Sequence, residues 1–238
     1  IEGGLYRLEI VEEDSSTFYY AKNLSIRPYM QRFMLRRYVA NSGAKEGEPK
    51  GSFHRTIMSD SLSVDLKDNT GKFNCGKPSG YVQDFQSLPS DMQDLIRQIK
   101  RVRVIFGVAT LDSPVNEKGE EVKDLGDIPF IWEVDNRDAF KTMGEPFKQF
   151  SKVKRLPVQH NVVLNTEERK LPNGNSFFLP TYTLNLKDTV DISEQDQETF
   201  INFMSWIDNY NAYIYNEWDM KAKKEVTEDE METVEGFI

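Results

Sequence analysis

The sequence predicts an α+β fold, mainly β with added helices. Three observations carry that prediction. Short runs of alternating apolar and polar residues recur as far as about residue 190, clusters of turn formers separate them, and one long helical stripe follows.

Leu5 to Val11 alternates as a strand, with Leu5, Arg7 and Glu9 opposing Tyr6, Leu8 and Ile10. Phe18 to Ala21 gives a second, short strand. Ser25 to Val39 is long and rich in Tyr, Phe, Met and Arg; Pro28 near its start lacks an N–H and predicts an edge position or a kink. Asn41 to Gly51 is a polar loop, and Phe53 to Met58 returns as the other arm of a hairpin. Leu62 to Leu66 predicts one more short strand before a turn at Lys67-Asp-Asn-Thr-Gly71.

Ser90-Asp-Met-Gln93 has the form of a capping box and predicts a helix to about Lys100. Arg101 to Leu111 is the clearest strand, with Val102, Val104, Phe106 and Val108 on one face and Arg101, Arg103 and Ile105 on the other. A charged loop, Asp112 to Asp127, leads into a strand at Pro129 to Val134. Arg137 to Val153 reads as a helix broken near Gly144 and Pro146. His160 to Thr166 and Ser176 to Leu186 form a hairpin through Pro172-Asn173-Gly174. Ser193 caps a helix to about Asp219, with Phe200, Phe203, Met204, Ile207, Tyr210 and Ile214 on one stripe. The strand count predicts a five-stranded, OB-like barrel with a long C-terminal helix. Its parts are a body at 1–190 with inserted helices, a helix at 191–222 packed on it, and an acidic tail at 223–238.

Charge is unevenly spread. The net charge is −9, of which −6 lies between Glu225 and Ile238, so −3 remains on the rest. Lys22 to Arg55 holds eight Lys or Arg against two Glu, and Arg97 to Arg103 holds four against none. Distribution, not pI, then decides whether a polyanion is a plausible partner. A lone cysteine, Cys75, excludes an internal disulfide and a cysteine-cluster zinc site and fits a reducing compartment. No apolar run has the length of a bilayer span, and the first residues resemble no targeting signal. The expectation is a soluble intracellular protein with no membrane partner.

Few motifs suggest catalysis. Gly71-Lys-Phe-Asn-Cys-Gly76-Lys77 has the spacing of a phosphate-binding loop, but Pro78 follows where that loop needs a hydroxyl, and Pro78-Ser79-Gly80 opposes the helix that should come next. Three readings are open: a loop offering Lys72, Phe73 and Lys77 to a phosphate backbone, an ordinary turn, and, with Pro78 against it, a nucleotide-dependent enzyme using Lys77. His54 and His160 have no metal-binding spacing, and no GxSxG elbow is present. Asp60, Asp65 and Asp68 read as turn formers. No enzyme activity and no cofactor is expected. Lys141, Lys148, Lys152, Lys154 and Arg155 read as a solvated face, and Trp132, Trp206 and Trp218 as core.

Binding of single-stranded nucleic acid needs cations along the backbone and aromatic faces for the bases. Arg27, Tyr29, Arg32, Arg36, Arg37 and Tyr38 supply both on one predicted strand, with Arg32, Arg36 and Tyr38 sharing a face. Phe53 and Arg55 continue that chemistry on the neighbouring strand, and Lys100, Arg101 and Arg103 on the central one. The other reading makes Tyr29 and Phe33 core and the arginines a solvated outer face.

These cationic, aromatic strands, with the acidic run Glu225 to Ile238 and its Phe237-Ile238 end, resemble the single-stranded DNA-binding proteins of bacteriophages. The resemblance is architectural and covers about two thirds of the chain. It implies an OB-type body, sequence-tolerant single-stranded DNA binding in replication, recombination or repair, and residence in the host cytoplasm. It also implies a tail that competes with DNA and docks replication or recombination proteins. The long aromatic helix departs from that pattern and leaves two roles open, packing on the barrel or pairing two copies as a homodimer. The rival reading is a structural or assembly protein, a virion or scaffold component whose β surface binds protein.

Overall fold

Pairing follows the alternation read from the sequence. In the computed structural model, which describes residues 3–75, 85–123 and 125–235 (side chains as far as residue 223), β1 (Tyr6–Val11) and β2 (Ser16–Ala21) form an antiparallel hairpin in register Tyr6↔Ala21 to Val11↔Ser16. The other strands are β3 (Leu24–Ala40), β4 (Gly51–Arg55), β5 (Lys100–Leu111), β6 (Ile128–Val134), β7 (Val162–Lys170) and β8 (Ser176–Leu184). The helices are α1 (Ser90–Gln98), α2 (Arg137–Thr142), α3 (Glu145–Val153) and α4 (Glu194–Glu235). The fold is α+β with a mostly antiparallel sheet and a long C-terminal helix. The chain divides into two compact units, Ile1–Gln31 with Ile105–Phe200, and Arg32–Val104 with Ile201–Ile238.

In the first unit the strand order is β6-β5-β3-β7-β8. This path is open, with β6 and β8 at its ends, so the described pairing is not the closed barrel expected from the strand count. β3 therefore lies inside the sheet, against the edge position that Pro28 suggested. In the described pairing β7 meets β3 at Leu24 to Ile26 and β4 meets it at Arg36 to Ala40, so Pro28 falls between these two ladders. Gly107 on β5 also gives way there, since a Cβ on it would collide with the Arg27 carbonyl and Pro28 Cα. The β7–β8 hairpin turns through Gly174, whose φ is +85°, and holds nine cross-strand pairs from Val162↔Leu184 to Lys170↔Ser176.

Ile26, Ile105, Val162, Leu164, Met143 and Phe150 centre the core of this unit, with Tyr6 and Trp132 packed at its margin. Asn136 caps α2 by accepting from the N–H groups of Asp138 and Ala139 at 2.9 and 3.0 Å. His160 is buried, stacked on Phe150, with Nδ1 2.9 Å from the Asp188 carbonyl.

The second unit is built on the far half of β3. There β4 pairs with it from Arg36↔Arg55 to Ala40↔Gly51. Leu35, Ile57, Leu66 and Ile214 form its core, flanked by Leu62, Ile99 and Tyr210. The Asn211 side chain of α4 acts as a strand partner, accepting from Met58 N–H at 2.8 Å and donating to its carbonyl at 2.9 Å. Tyr210 donates to the Thr56 carbonyl at 2.8 Å.

Three local expectations change. Leu62 to Leu66 is not a strand: Leu62 and Ser63 are turn, Leu66 makes only an isolated bridge, and the Ser63 N–H goes to the Ser61 hydroxyl at 3.0 Å instead of a ladder. Pro89, extended at φ −54° and ψ 150°, takes the cap position of α1, so Ser90 starts the helix and makes no side-chain cap bond. And α4 continues past Asp219 to Glu235, for the segment Glu194–Glu235 contains neither glycine nor proline and its last third is rich in helix-forming Lys, Glu, Ala and Met. Residues Gly236 to Ile238 lie outside the described residues. Among the described residues no helix is long and apolar enough to cross a membrane.

Candidate functional site

Register assembles the most distinctive surface. Because Arg36 pairs with Arg55 and Tyr38 with Phe53, strand alternation puts all four side chains on one face of the β3–β4 hairpin. Two arginines directly opposite each other repel, an arrangement that weakens a sheet. Here both guanidiniums lie over the Phe53 ring, 5.2 and 5.3 Å from its centroid, and Tyr38 meets that ring edge-on at 5.1 Å. Phe53 and Tyr38 remain 45% and 48% exposed. Gly51, opposite Ala40, makes the arrangement possible, since a Cβ there would collide with the Tyr38 phenol and the Val39 carbonyl.

The opposite face of the hairpin turns inward. Arg37 and His54 are cross-strand partners; Arg37 donates to the Asn74 carbonyl at 3.1 Å, so its charge does not join Arg36 and Arg55. Burial is the first cause of a lowered His54 pKa, the Arg37 and Lys221 charges lower it further, and Asp68 opposes them. Asp68 is fully buried and accepts from the Thr70 and Cys75 N–H groups at 3.0 and 2.9 Å and from the Thr70 hydroxyl. Its carboxylate thus serves as a turn former. Burial, with Asp68 beside it, pushes the Cys75 thiol well above its usual range, which leaves the sulfur protonated and a poor nucleophile.

Residues 67–75 then pack along α4. Gly71 has a φ of +78°, and a Cβ on it would stand 2.7 Å from Lys221 Cβ and 2.8 Å from the Ala222 nitrogen. That glycine serves the contact with the helix; Gly76 and Lys77, the end of the expected phosphate-loop pattern, lie outside the described residues. Phe73, 39% exposed, rests on Trp218 with centroids 4.8 Å apart. Lys67 Nζ stands 5.6 Å from the Tyr215 ring and 5.5 Å from that of Trp218. Lys221 donates to the Asn69 carbonyl at 2.6 Å and pairs with Glu217 at 2.7 Å. Asn69 in turn runs beside β4: its N–H donates to the Arg55 carbonyl at 3.1 Å, its side-chain oxygen accepts from Arg55 N–H at 3.0 Å, and its amide donates to the Phe53 carbonyl at 3.2 Å.

Sequence reasoning missed Lys67, Tyr215 and Trp218. It assigned Trp218 to the core, although Tyr215, Trp218 and Lys221 recur every three residues, the spacing of helix neighbours, apart from the buried stripe Phe203, Ile207 and Ile214. Trp206 is also outside the core, 41% exposed and stacked on Tyr210 at 5.7 Å.

The remaining expected residues go elsewhere. Arg27 ion-pairs with Asp196 and Tyr29 donates its hydroxyl to the same oxygen, so both belong to the interior of the first unit. Burial followed by the Asp196 contact raises the Tyr29 pKa. Burial opposes the Asp196 carboxylate, yet Tyr29, Ser193 and the Arg27 charge together hold its pKa below the ordinary value. Arg32 pairs with Asp60 at 3.0 Å and reaches Met204 Sδ. Arg103 is buried, 5.0 Å from the Phe33 ring centre; the face it was expected to share with Arg101 is not a solvent groove, because β5 is buried on both sides from Val102 to Ala109. Lys100 and Arg101 are exposed at the start of that strand, as is Lys72 in the loop.

The first unit carries an apolar cavity lined by Tyr6, Leu8, Leu24, Phe130 and Trp132, with Arg7 at its wall. No protein-family model, curated protein or solved structure matches the chain.

Proposed function

We propose that this protein binds single-stranded nucleic acid, DNA in the first instance, without catalysing a reaction, and that the outer face of the β3–β4 hairpin is the contact surface. One observation carries the reading: the fold sets Arg36 against Arg55 across the ladder and holds both beside the exposed rings of Phe53 and Tyr38. Cations and the exposed ring faces beside them are the two elements that binding of a single strand needs. Phosphates take the guanidiniums, and bases stack on the rings. Neither contact reads sequence.

The body resembles OB-type proteins in presenting a sheet surface and loops to the strand, without requiring their closed barrel. The phage setting, the role in replication, recombination or repair, and the cytoplasmic location rest on the resemblance alone. Under this reading the acidic run from Glu225 is a hook for replication or recombination proteins, borne on helical backbone as far as Glu235. The assembly-protein alternative draws on Trp206, Tyr213 and Met220, exposed at seven-residue intervals along α4, a stripe suited to a protein partner.

Titration of fluorescent oligo-dT at low and high salt separates the two. Tight low-salt binding is expected, weakening steeply as salt rises. Replacing Arg36 and Arg55 together by Ala is expected to lower affinity at least about tenfold and to flatten the log–log salt slope by about 1.4, roughly 0.7 for each phosphate left without its arginine on a single strand. No binding at low salt favours the assembly reading.

A further inference from the structure

We infer that the second unit carries a second base-stacking platform, formed by Lys67, Phe73, Tyr215 and Trp218, and that one strand reaches both platforms by passing over the β4 edge at Asn69. This rests on the proposed hairpin interface and adds to it a means of discrimination: the bend between the platforms admits flexible single strands and refuses duplexes.

The argument is one of placement. Along β3, Leu35 points into the buried cluster that also holds Ile214 of α4, so Arg36 and Tyr38 face the other way. The helix platform therefore lies on the reverse side of the hairpin from Phe53. Asn69 joins the two sides, bonding Phe53 and Arg55 of β4 with one end and Lys221 of α4 with the other. The exposed rings of Phe73 and Tyr215 flank Lys67 and Trp218, which repeats the hairpin's chemistry of ring faces beside a cation. Of the carboxylates there, Glu217 is engaged by Lys221. A path around a strand edge demands a sharp bend. Single strands make it easily, whereas a duplex is stiff over about 150 base pairs.

The test is an oligo-dT series from about 4 to about 16 nucleotides, the span of site sizes for a single OB-type fold, with a blunt duplex as competitor. Binding is measured for the whole chain and for the Tyr215→Ala, Trp218→Ala, Trp218→Phe and Phe53→Ala variants, after thermal melts establish that each is folded. Expected are losses of about five- to 150-fold on long oligonucleotides for Tyr215→Ala and Trp218→Ala, with little change on the shortest. Trp218→Phe is expected to retain binding, and Phe53→Ala to weaken every length. The duplex should not compete. If the helix variants bind all lengths as the unaltered protein does, while Phe53→Ala weakens them, the second platform is wrong and the hairpin interface stands. Equal losses at every length for the helix variants, or effective competition by duplex, also overturn the path around the edge. Absence of binding at any length at low salt overturns both.

Discussion

β3 holds two copies of one local pattern, Arg27-Pro28-Tyr29 and Arg36-Arg37-Tyr38, each placing an arginine and a tyrosine two residues apart on one face. The first is interior: Asp196 takes both the Arg27 guanidinium and the Tyr29 hydroxyl. The second is surface: Arg36 meets Arg55 and Tyr38 leans on Phe53. The side chains are alike, and what faces them decides their role. A carboxylate that is itself bound by the N–H and hydroxyl of Ser193 makes the first pair a structural clamp. An opposing arginine and an exposed ring leave the second at the surface, where the proposed contact lies.

The contrast can be broken from its structural side first. Asp196→Ala leaves the partly buried Arg27 without this partner and is expected to lower stability by up to about 3 kcal/mol, the low end for breaking a buried pair, read as a shift of the urea midpoint. Oligonucleotide affinity of the folded variant should stay unchanged; an affinity loss would return Arg27 to the interface. A smaller effect sharpens the comparison. Tyr29→Phe removes a donor from a buried carboxylate and should destabilise by about 1–3 kcal/mol, whereas Tyr38→Phe should alter stability by less than about 0.5 kcal/mol. Equal melting shifts for the two would dissolve the distinction.

The smallest effect concerns pH. His54 has a pKa below its ordinary 6.5, so as pH falls the unfolded chain takes up that proton before the folded one. The stability this residue contributes is present above about pH 6.5 and declines below it. The unfolding midpoint is therefore expected to drop between about pH 7 and pH 5, and the drop to shrink in His54→Gln. Parallel curves for the two proteins would remove His54 as the cause.

Much of this was legible in the residues. Alternation located β1 to β8 but added a strand at Leu62 to Leu66 that does not form, Pro172-Asn173-Gly174 gave the β7–β8 turn, Ser193 gave the start of α4, and the hairpin quartet stood out as basic and aromatic residues on adjacent strands. The fate of Arg27 and Tyr29 was not legible, because their partner lies 169 and 167 residues away in sequence. The inward turn of Arg37 depends on Asn74, and the burial of Arg103 on neighbours that cover both faces of β5. Trp218 was hidden by a sound rule, that an aromatic on a helix packs inward. Here a loop came to the ring, and only Gly71 lets that loop approach.

Cys75 is the chain's sole thiol, and it is fully buried at the end of the 67–75 segment with its acidity suppressed. Any alkylating reagent that modifies the native protein must wait for that segment to lift away. The sulfur is thus a built-in clock for the opening of the loop that bears Phe73, and it keeps time without any label being introduced.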